Sequence, residues 1–354
     1  MKKTIAITSA LAAASSLATA EIKINEFLSF AGFVDASYTH YDAETNGNDA
    51  SDNNTFGVDE VEIDWMFNFG KVTAQIDLQY EGGRRVDSRG FDNGSGSDTA
   101  VEQAFVNYDL GNGASVTVGR YESMLGLEAK EPTGLYQFSK AYANSQYGDQ
   151  SILPQYAQGV KYTGQSGDLS YGISLQDESF DNDEDSFGGP GGNDGSYAIE
   201  AAASLVSGAI TYSLGGAFED GDDNGDTWVV NGHAVYQDGP WTLGAELNIG
   251  NSENSTGLAG LPGNATNDLD ALSGLVMANY AYSDCCSVTG RISYLEFEDG
   301  SFGLDSEAWK YTLAHNYALT DNLAIITEVS YLEGEDGSTD YDELLGAVEV
   351  LFTF

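Results

Sequence analysis

Carboxylates at every second position are the first chemistry this chain offers. Glu60, Glu62 and Asp64 alternate with Val61, Ile63 and Trp65, and Asp77 sits on the wet side of a similar run from Val72 to Tyr80. Residues two apart on an extended strand share a face, so each set of acids forms one file. Such a file, without a nucleophile–base pair beside it, handles cations by charge rather than bonds by catalysis. By the same period Glu200, Glu246 and Glu328 fall on wet faces, with Lys161, Arg291 and Lys310 as a sparse opposing set. A register error of one residue would turn any of these strands over. For any single one of these side chains, plain solvation of a wet wall is the simpler account.

Other chemistries fare worse. The chain has three His, at 40, 233 and 315. A barrel lipase needs a Ser–His pair at the outer leaflet, whereas His315 lies toward the periplasmic end of its strand. No Cys/His cluster has zinc spacing. The two Cys are adjacent, Cys285-Cys286, able to form a strained disulfide but not to staple distant segments. Asp220-Gly221-Asp222-Asp223-Asn224-Gly225 opens like a calcium loop, but its twelfth position is Asn231 instead of Glu and a strand follows. A weaker reading has the Asp-rich loops 178–195 and 219–226 loosely holding divalent cations, against solvated loop tips as the plainer one. The chain therefore reads as no enzyme and as needing no cofactor.

The elements that position these residues are strands. Alternation recurs in about sixteen segments, near 27–41, 56–69, 71–81, 100–110, 114–122, 156–164, 168–177, 196–206, 208–218, 227–237, 241–250, 270–282, 286–296, 306–318, 323–332 and 341–354. Most have the roughly 9–11 residues that a tilted strand needs to cross a bilayer. Short connections such as Gly70-Lys71, Gly111-Asn112-Gly113 and Asp238-Gly239-Pro240 alternate with long polar ones at 42–55, 82–99, 178–195, 219–226, 251–269, 297–305 and 333–340. Short periplasmic turns and long external loops around an even number of strands are the pattern of an all-β, antiparallel transmembrane barrel. Tyr and Trp at strand ends (Tyr80, Tyr108, Tyr236, Trp241, Tyr317, Tyr331) fit interfacial girdles. The last strand places Leu344, Val348, Val350, Phe352 and terminal Phe354 on one face, resembling the strand that outer-membrane assembly machinery reads.

Residues 1–20 read as a secretory signal: Lys2-Lys3, an apolar stretch from Ile5 to Leu17, then Ala18-Thr19-Ala20 as the cleavage site. The single mature domain then spans 21–354. No later run of 18 apolar residues offers a transmembrane helix. The net charge of −43 excludes nucleic acid and disfavours anionic solutes. An acidic exterior kept soluble in a salty habitat accounts for that charge equally well.

The longest connection, 123–155, carries Leu125, Leu127, Leu135, Tyr136, Phe138, Tyr142 and Tyr147, too apolar to wave in water. Folded inward, it would narrow the lumen and bring Glu122, Glu128, Lys130, Glu131 and Lys140 to the constriction, with Arg120 approaching from the wall. Packed as a lid on the outer rim, it would not. Sixteen strands leave an aqueous channel, so inward residues are expected to be polar.

Val101-Glu102-Gln103-Ala104-Phe105-Val106 leads to Gly119-Arg120-Tyr121-Glu122 and Gly126-Leu127-Glu128, and a further stretch runs from Pro154 through Gly159 to Tyr162. In these residues the chain resembles the β-barrel porins of type 2 in Gram-negative outer membranes. Arg120 and Tyr121 stand where the family pattern has Lys and Phe. The resemblance implies a porin-like fold and passive transport, with no defined substrate. The functional expectation is an outer-membrane channel in contact with outer-membrane lipid, passing small hydrophilic solutes or ions with a cation preference. Whether it forms a homo-oligomer such as a trimer is open. The rivals are a structural or adhesive surface barrel with a blocked lumen and a secreted calcium-binding β protein.

Overall fold

Alternating side chains become sixteen long antiparallel strands that close on themselves. The computed structural model describes residues 21–81, 86–87, 90–91, 98–144, 148–149, 151–177, 179–180, 197–221, 225–253, 268–299 and 305–354. The expected signal 1–20 and most of loops 82–99, 178–195 and 251–269 lie outside these residues, as do 222–224 and 300–304. The strands are β1 (Leu28–Thr45), β2 (Asn48–Asn68), β3 (Val72–Glu81), β4 (Asp98–Gly111), β5 (Ala114–Glu122), β6 (Tyr156–Ser166), β7 (Leu169–Gln176) and β8 (Tyr197–Ser207). The second half is β9 (Ile210–Asp220), β10 (Thr227–Asp238), β11 (Trp241–Ser252), β12 (Leu269–Ser283), β13 (Cys286–Asp299), β14 (Ser306–Thr320), β15 (Leu323–Asp336) and β16 (Thr339–Thr353). All sixteen overlap the segments expected from sequence, several of them running beyond the expected bounds.

Each strand pairs with the next, and β1 pairs with both β2 and β16, from Phe33↔Thr353 to Thr45↔Tyr341. The seam is finished by reciprocal 2.9 Å bonds between Gly32 and Phe354. A pair of residues, Ile22–Lys23, extends the ladder beside β1 just past the end of β16. Closure leaves no unpaired edge, which a sheet in hydrocarbon requires.

The two faces differ as the alternation demands. Leu175, Leu214, Leu247, Leu313 and Val329 stand exposed on the outside, while Glu200, Asn248, Ser273, Thr289 and Ser330 are buried on the inside. Large apolar side chains all around an exterior are stable only against lipid. Among the described residues no helix is long and apolar enough to cross a membrane.

Two expectations need correction. The polar stretches 42–55 and 333–340 are not loops but continuations of β1–β2 and β15–β16, joined through the tight turns Asn46-Gly47 and Gly337-Ser338. Asn46 and Gly47 both take positive φ (50° and 70°), as a two-residue hairpin turn requires. Nor is the inner wall uniformly polar. Val229, Val235, Leu275, Met277, Leu295 and Phe297 are buried there, because the segment after β5 packs on them.

Candidate constriction

The segment between β5 and β6 starts and ends as a hairpin, with Ser123 N–H donating to Gln155 O at 2.8 Å. Between these points its described residues show one 3-10 turn, Pro132–Gly134, and one short antiparallel pair, Ala143–Asn144 with Gly148–Asp149, which leave most of its backbone polar groups to other partners. The wall satisfies them. Glu200 on β8 accepts from Ser123 Oγ (2.7 Å) and Met124 N (2.6 Å). Glu246 on β11 accepts from Leu127 N (2.6 Å) and Tyr142 Oη (3.0 Å). Glu328 on β15 accepts from Ser139 N (2.9 Å) and Ser139 Oγ (2.5 Å). Charge-assisted bonds to backbone amides are among the stronger ones, so each carboxylate acts as an anchor point.

Cations hold the same segment from the other sign. Arg291 on β13 bonds Glu128 at 2.5 Å, while Glu128 also accepts from Gln137 Nε2 (2.7 Å) and Ala141 N (2.8 Å). Lys310 on β14 donates to the carbonyls of Lys140 (2.9 Å) and Ala143 (3.0 Å). Lys130 donates to Pro154 O (3.2 Å), and Lys161 on β6 to Glu122 O (3.0 Å).

Apolar packing completes the dock. Leu125, Leu127, Tyr136, Tyr142, Ile152 and Leu153 share one cluster with the apolar inner wall of β9, β10, β12 and β13. Phe138 lies on Leu345 and Ala347 of β16. Each fully buried Leu or Ile contributes roughly 1.5–3 kcal/mol. Wall glycines make room: a Cβ at Gly172 would meet Met124, at Gly215 Leu125, and at Gly244 Leu127. Burial, with the Glu246 and Glu128 carboxylates nearby, holds the Tyr142 phenol well above its ordinary value, so it stays a donor.

An acidic sector lies on β2, β3 and β4. Gln79 Nε2 bonds Glu60 Oε1 at 2.7 Å, and Asp77 Oδ2 accepts from Gln75 (2.9 Å) and Gln103 (2.7 Å). Glu131 reaches this sector from the docked segment, accepting from Tyr156 Oη at 2.9 Å. One carboxylate oxygen each from Glu60, Glu62 and Glu131 lie within 4.8 Å of one another, and the same holds for Glu62, Asp64 and Asp77. Burial first, then the Glu60 carboxylate, raise Glu131 from 4.5 to about 7.

Glu102 belongs here and is not among the residues expected from sequence. It is the extra residue of a β-bulge opposite Asp77 and Leu78, so it and Gln103 both turn inward. Asp59 is a second bulge residue, opposite Asp35 and Ala36, and is buried next to Glu60. Neither bulge has a signature that alternation reveals. Asp35 and Glu349, also buried, do follow the inward period of their strands and could have been read from it. Arg120 is buried behind the sector, its Nε on Glu102 O (2.9 Å) and its guanidinium 5.9 Å from the Tyr156 ring centre. The expected lining set thus divides. Glu60, Glu62, Asp64, Asp77 and Glu131 gather in the acidic sector, with Arg120 behind it. Glu122, Glu128, Lys130, Lys140, Lys161, Glu200, Glu246, Arg291, Lys310 and Glu328 lie along the docked segment and its anchors.

The remaining candidates contribute little. His233 is buried on the inner wall beside Asn231, and His315 bonds Tyr282 Oη at 2.6 Å. Cys285 and Cys286 are free thiols at the β12–β13 turn, with sulfurs 3.1 Å apart.

Known proteins share this architecture. The chain is similar in fold to the anion-selective porin from Comamonas acidovorans, at 16% identity over 92% of this chain and 99% of that one, with a TM-score of 0.62. It is similar to OmpF of Salmonella typhi in complex with daunomycin (15% identity, 94% and 100% covered, TM-score 0.63). It is likewise similar to in-vitro folded OmpT of Vibrio cholerae in a trimer form (12% identity, 92% and 99% covered, TM-score 0.61). Likeness at these identities concerns the fold alone. No curated protein matches the sequence. The family model described as "Putative beta-barrel porin-2, OmpL-like" matches residues 28–354, which is the whole closed barrel from β1 to the terminal Phe354. By that match and by its sixteen-stranded closed sheet, the chain belongs to this porin family of Gram-negative outer-membrane β-barrels.

Proposed function

We propose that the protein is a passive, cation-preferring channel for small hydrophilic solutes, narrowed by the docked segment 123–155. One observation carries this reading. Wall cations Arg291 and Lys310 are occupied in holding the segment, whereas Glu60, Glu62, Asp64, Asp77 and Glu102 cluster on β2, β3 and β4. A lumen bordered by such a cluster of carboxylates favours cations. The fold does not set the sign, since an anion-selective porin shares it. The reading needs no cofactor and no covalent chemistry. Association as a trimer, the form of the Vibrio neighbour, is part of the same proposal.

Planar-bilayer recording in a salt gradient tests it. The expected reversal potential has the sign of cation flow, reduced in Glu62→Gln and Asp77→Asn. A reversal potential of the opposite sign refutes the preference. A second reading, a structural barrel with a blocked lumen, is favoured by how tightly the sector is packed: Glu60 and Asp77 are each 1% exposed. Absence of any conductance from folded, inserted protein would select it.

A further inference from the structure

The acidic sector contains a more specific arrangement than a charged wall. Glu60 and Glu62 come from β2 and Glu131 from the docked segment, yet an oxygen of each falls within the same 4.8 Å envelope. Glu62 also belongs to the second triad with Asp64 and Asp77, so five carboxylates run in a connected chain. Donors to this set include the amides of Gln75, Gln79 and Gln103 and the phenol of Tyr156.

Among the described residues, part of this oxygen set has no donor. Glu62 Oε2 and Asp77 Oδ1 are without a hydrogen-bond partner, although Glu62 is 4% and Asp77 1% exposed. Glu131 Oε2, Asp64 Oδ1 and Glu102 Oε2 are in the same condition. A buried anionic oxygen with no partner costs several kcal/mol unless a cation is supplied. Calcium is bound by six to eight hard oxygens at about 2.3–2.6 Å, so oxygens on opposite sides of it stand about 4.8 Å apart. The triad spacing fits that span, and the donors are all oxygen.

We propose that Glu60, Glu62 and Glu131 form a calcium site that clamps the docked segment to strand β2, with Asp64 and Asp77 extending it through Glu62. The ion would join the segment at Glu131 to strand β2 and would neutralise part of the acidic sector. The site requires the barrel and the docked segment but not conduction, so binding and transport can fail separately.

The test is calorimetric titration of Ca2+ into the full-length barrel, folded in detergent and stripped with a chelator, with Mg2+ as comparison. Expected is one saturable Ca2+ site, tighter than for Mg2+, weakened at least tenfold in Glu62→Gln and Glu131→Gln. An outer-loop control, Asp222→Asn with Asp223→Asn, should bind as wild type. Glu131 lies outside the strands, so Glu131→Gln keeps the test decisive if Glu62→Gln fails to fold. The proposal is overturned if wild type shows no saturable site, if Glu131→Gln binds like wild type, or if the loop control removes the site. Bilayer recording of the same samples supplies the second readout: Ca2+ should lower monovalent conductance in wild type and leave Glu131→Gln unchanged. Silent bilayers with intact calorimetry would refute the channel reading and leave the site standing.

Discussion

Replacing Arg291 by Met isolates the strongest single tie between the docked segment and the wall. The Arg291–Glu128 pair is 2.5 Å long, with the Arg side chain fully shielded and the Glu side chain 13% exposed. Removing one partner of a buried pair costs about 3–5 kcal/mol, mostly because the other charge is stranded. Glu128 keeps its bonds from Gln137 and the Ala141 amide, so the lower end, about 3 kcal/mol, is the expected cost. At about 1.4 kcal/mol per decade, that raises the undocked population roughly 100-fold. The double variant Glu128→Gln/Arg291→Met strands no charge and should lose only about 1 kcal/mol, about 2 kcal/mol less than the single variant. Native-state proteolysis of the detergent-folded barrel measures this, because cleavage tracks the open population when opening equilibrates rapidly. Cut sites within 123–155 should appear about 100-fold faster in the single variant and much less so in the double one. Equal rates in single and double variants would refute the assignment of the pair as an anchor.

Two further outcomes are expected. Glu131 is raised from 4.5 to about 7, so its protonated form is favoured in the docked state; that stabilisation is full below about 4.5 and is lost as pH rises through about 7. The groups facing it are Glu60 and Glu62 on β2, Glu102 on β4 and Tyr156 on β6, with Arg120 behind them; conductance measured with chelator present should therefore rise from pH 5 to pH 8 and stay flat in Glu131→Gln, and a flat wild-type profile would contradict this. Gly119 has φ +133° and an added Cβ would lie 2.2 Å from Ala104 O, so Gly119→Ala should cost at least about 2 kcal/mol and lower the heat-modifiable, folded fraction on electrophoresis; an unchanged fraction would show that β5 tolerates the shift.

Strand number, strand order and membrane-facing sides were legible because each depends on a period of two. Val61-Ile63-Trp65 and Leu169-Tyr171-Ile173 state their outward face with no knowledge of any neighbour. The docked segment was legible only as a conflict: Leu125, Phe138 and Tyr142 in a connection too apolar for water. Its destination depends on partners far away in sequence, such as Glu246 for Leu127 and Glu328 for Ser139.

The sequence by itself determined a closed, sixteen-stranded barrel and the inward acids Glu60, Glu62, Asp64 and Asp77, since alternation is a local property. Only the tertiary structure decided what each inward charge does. Glu200, Glu246 and Glu328 hold backbone amides, and Arg291 and Lys310 hold the same segment from the opposite sign. Glu102 entered the acidic sector through a bulge that exists only in the pairing of β4 with β3. Whether a carboxylate meets an amide, a guanidinium or another carboxylate is set by segments distant along the chain, and periodicity carries no information about them.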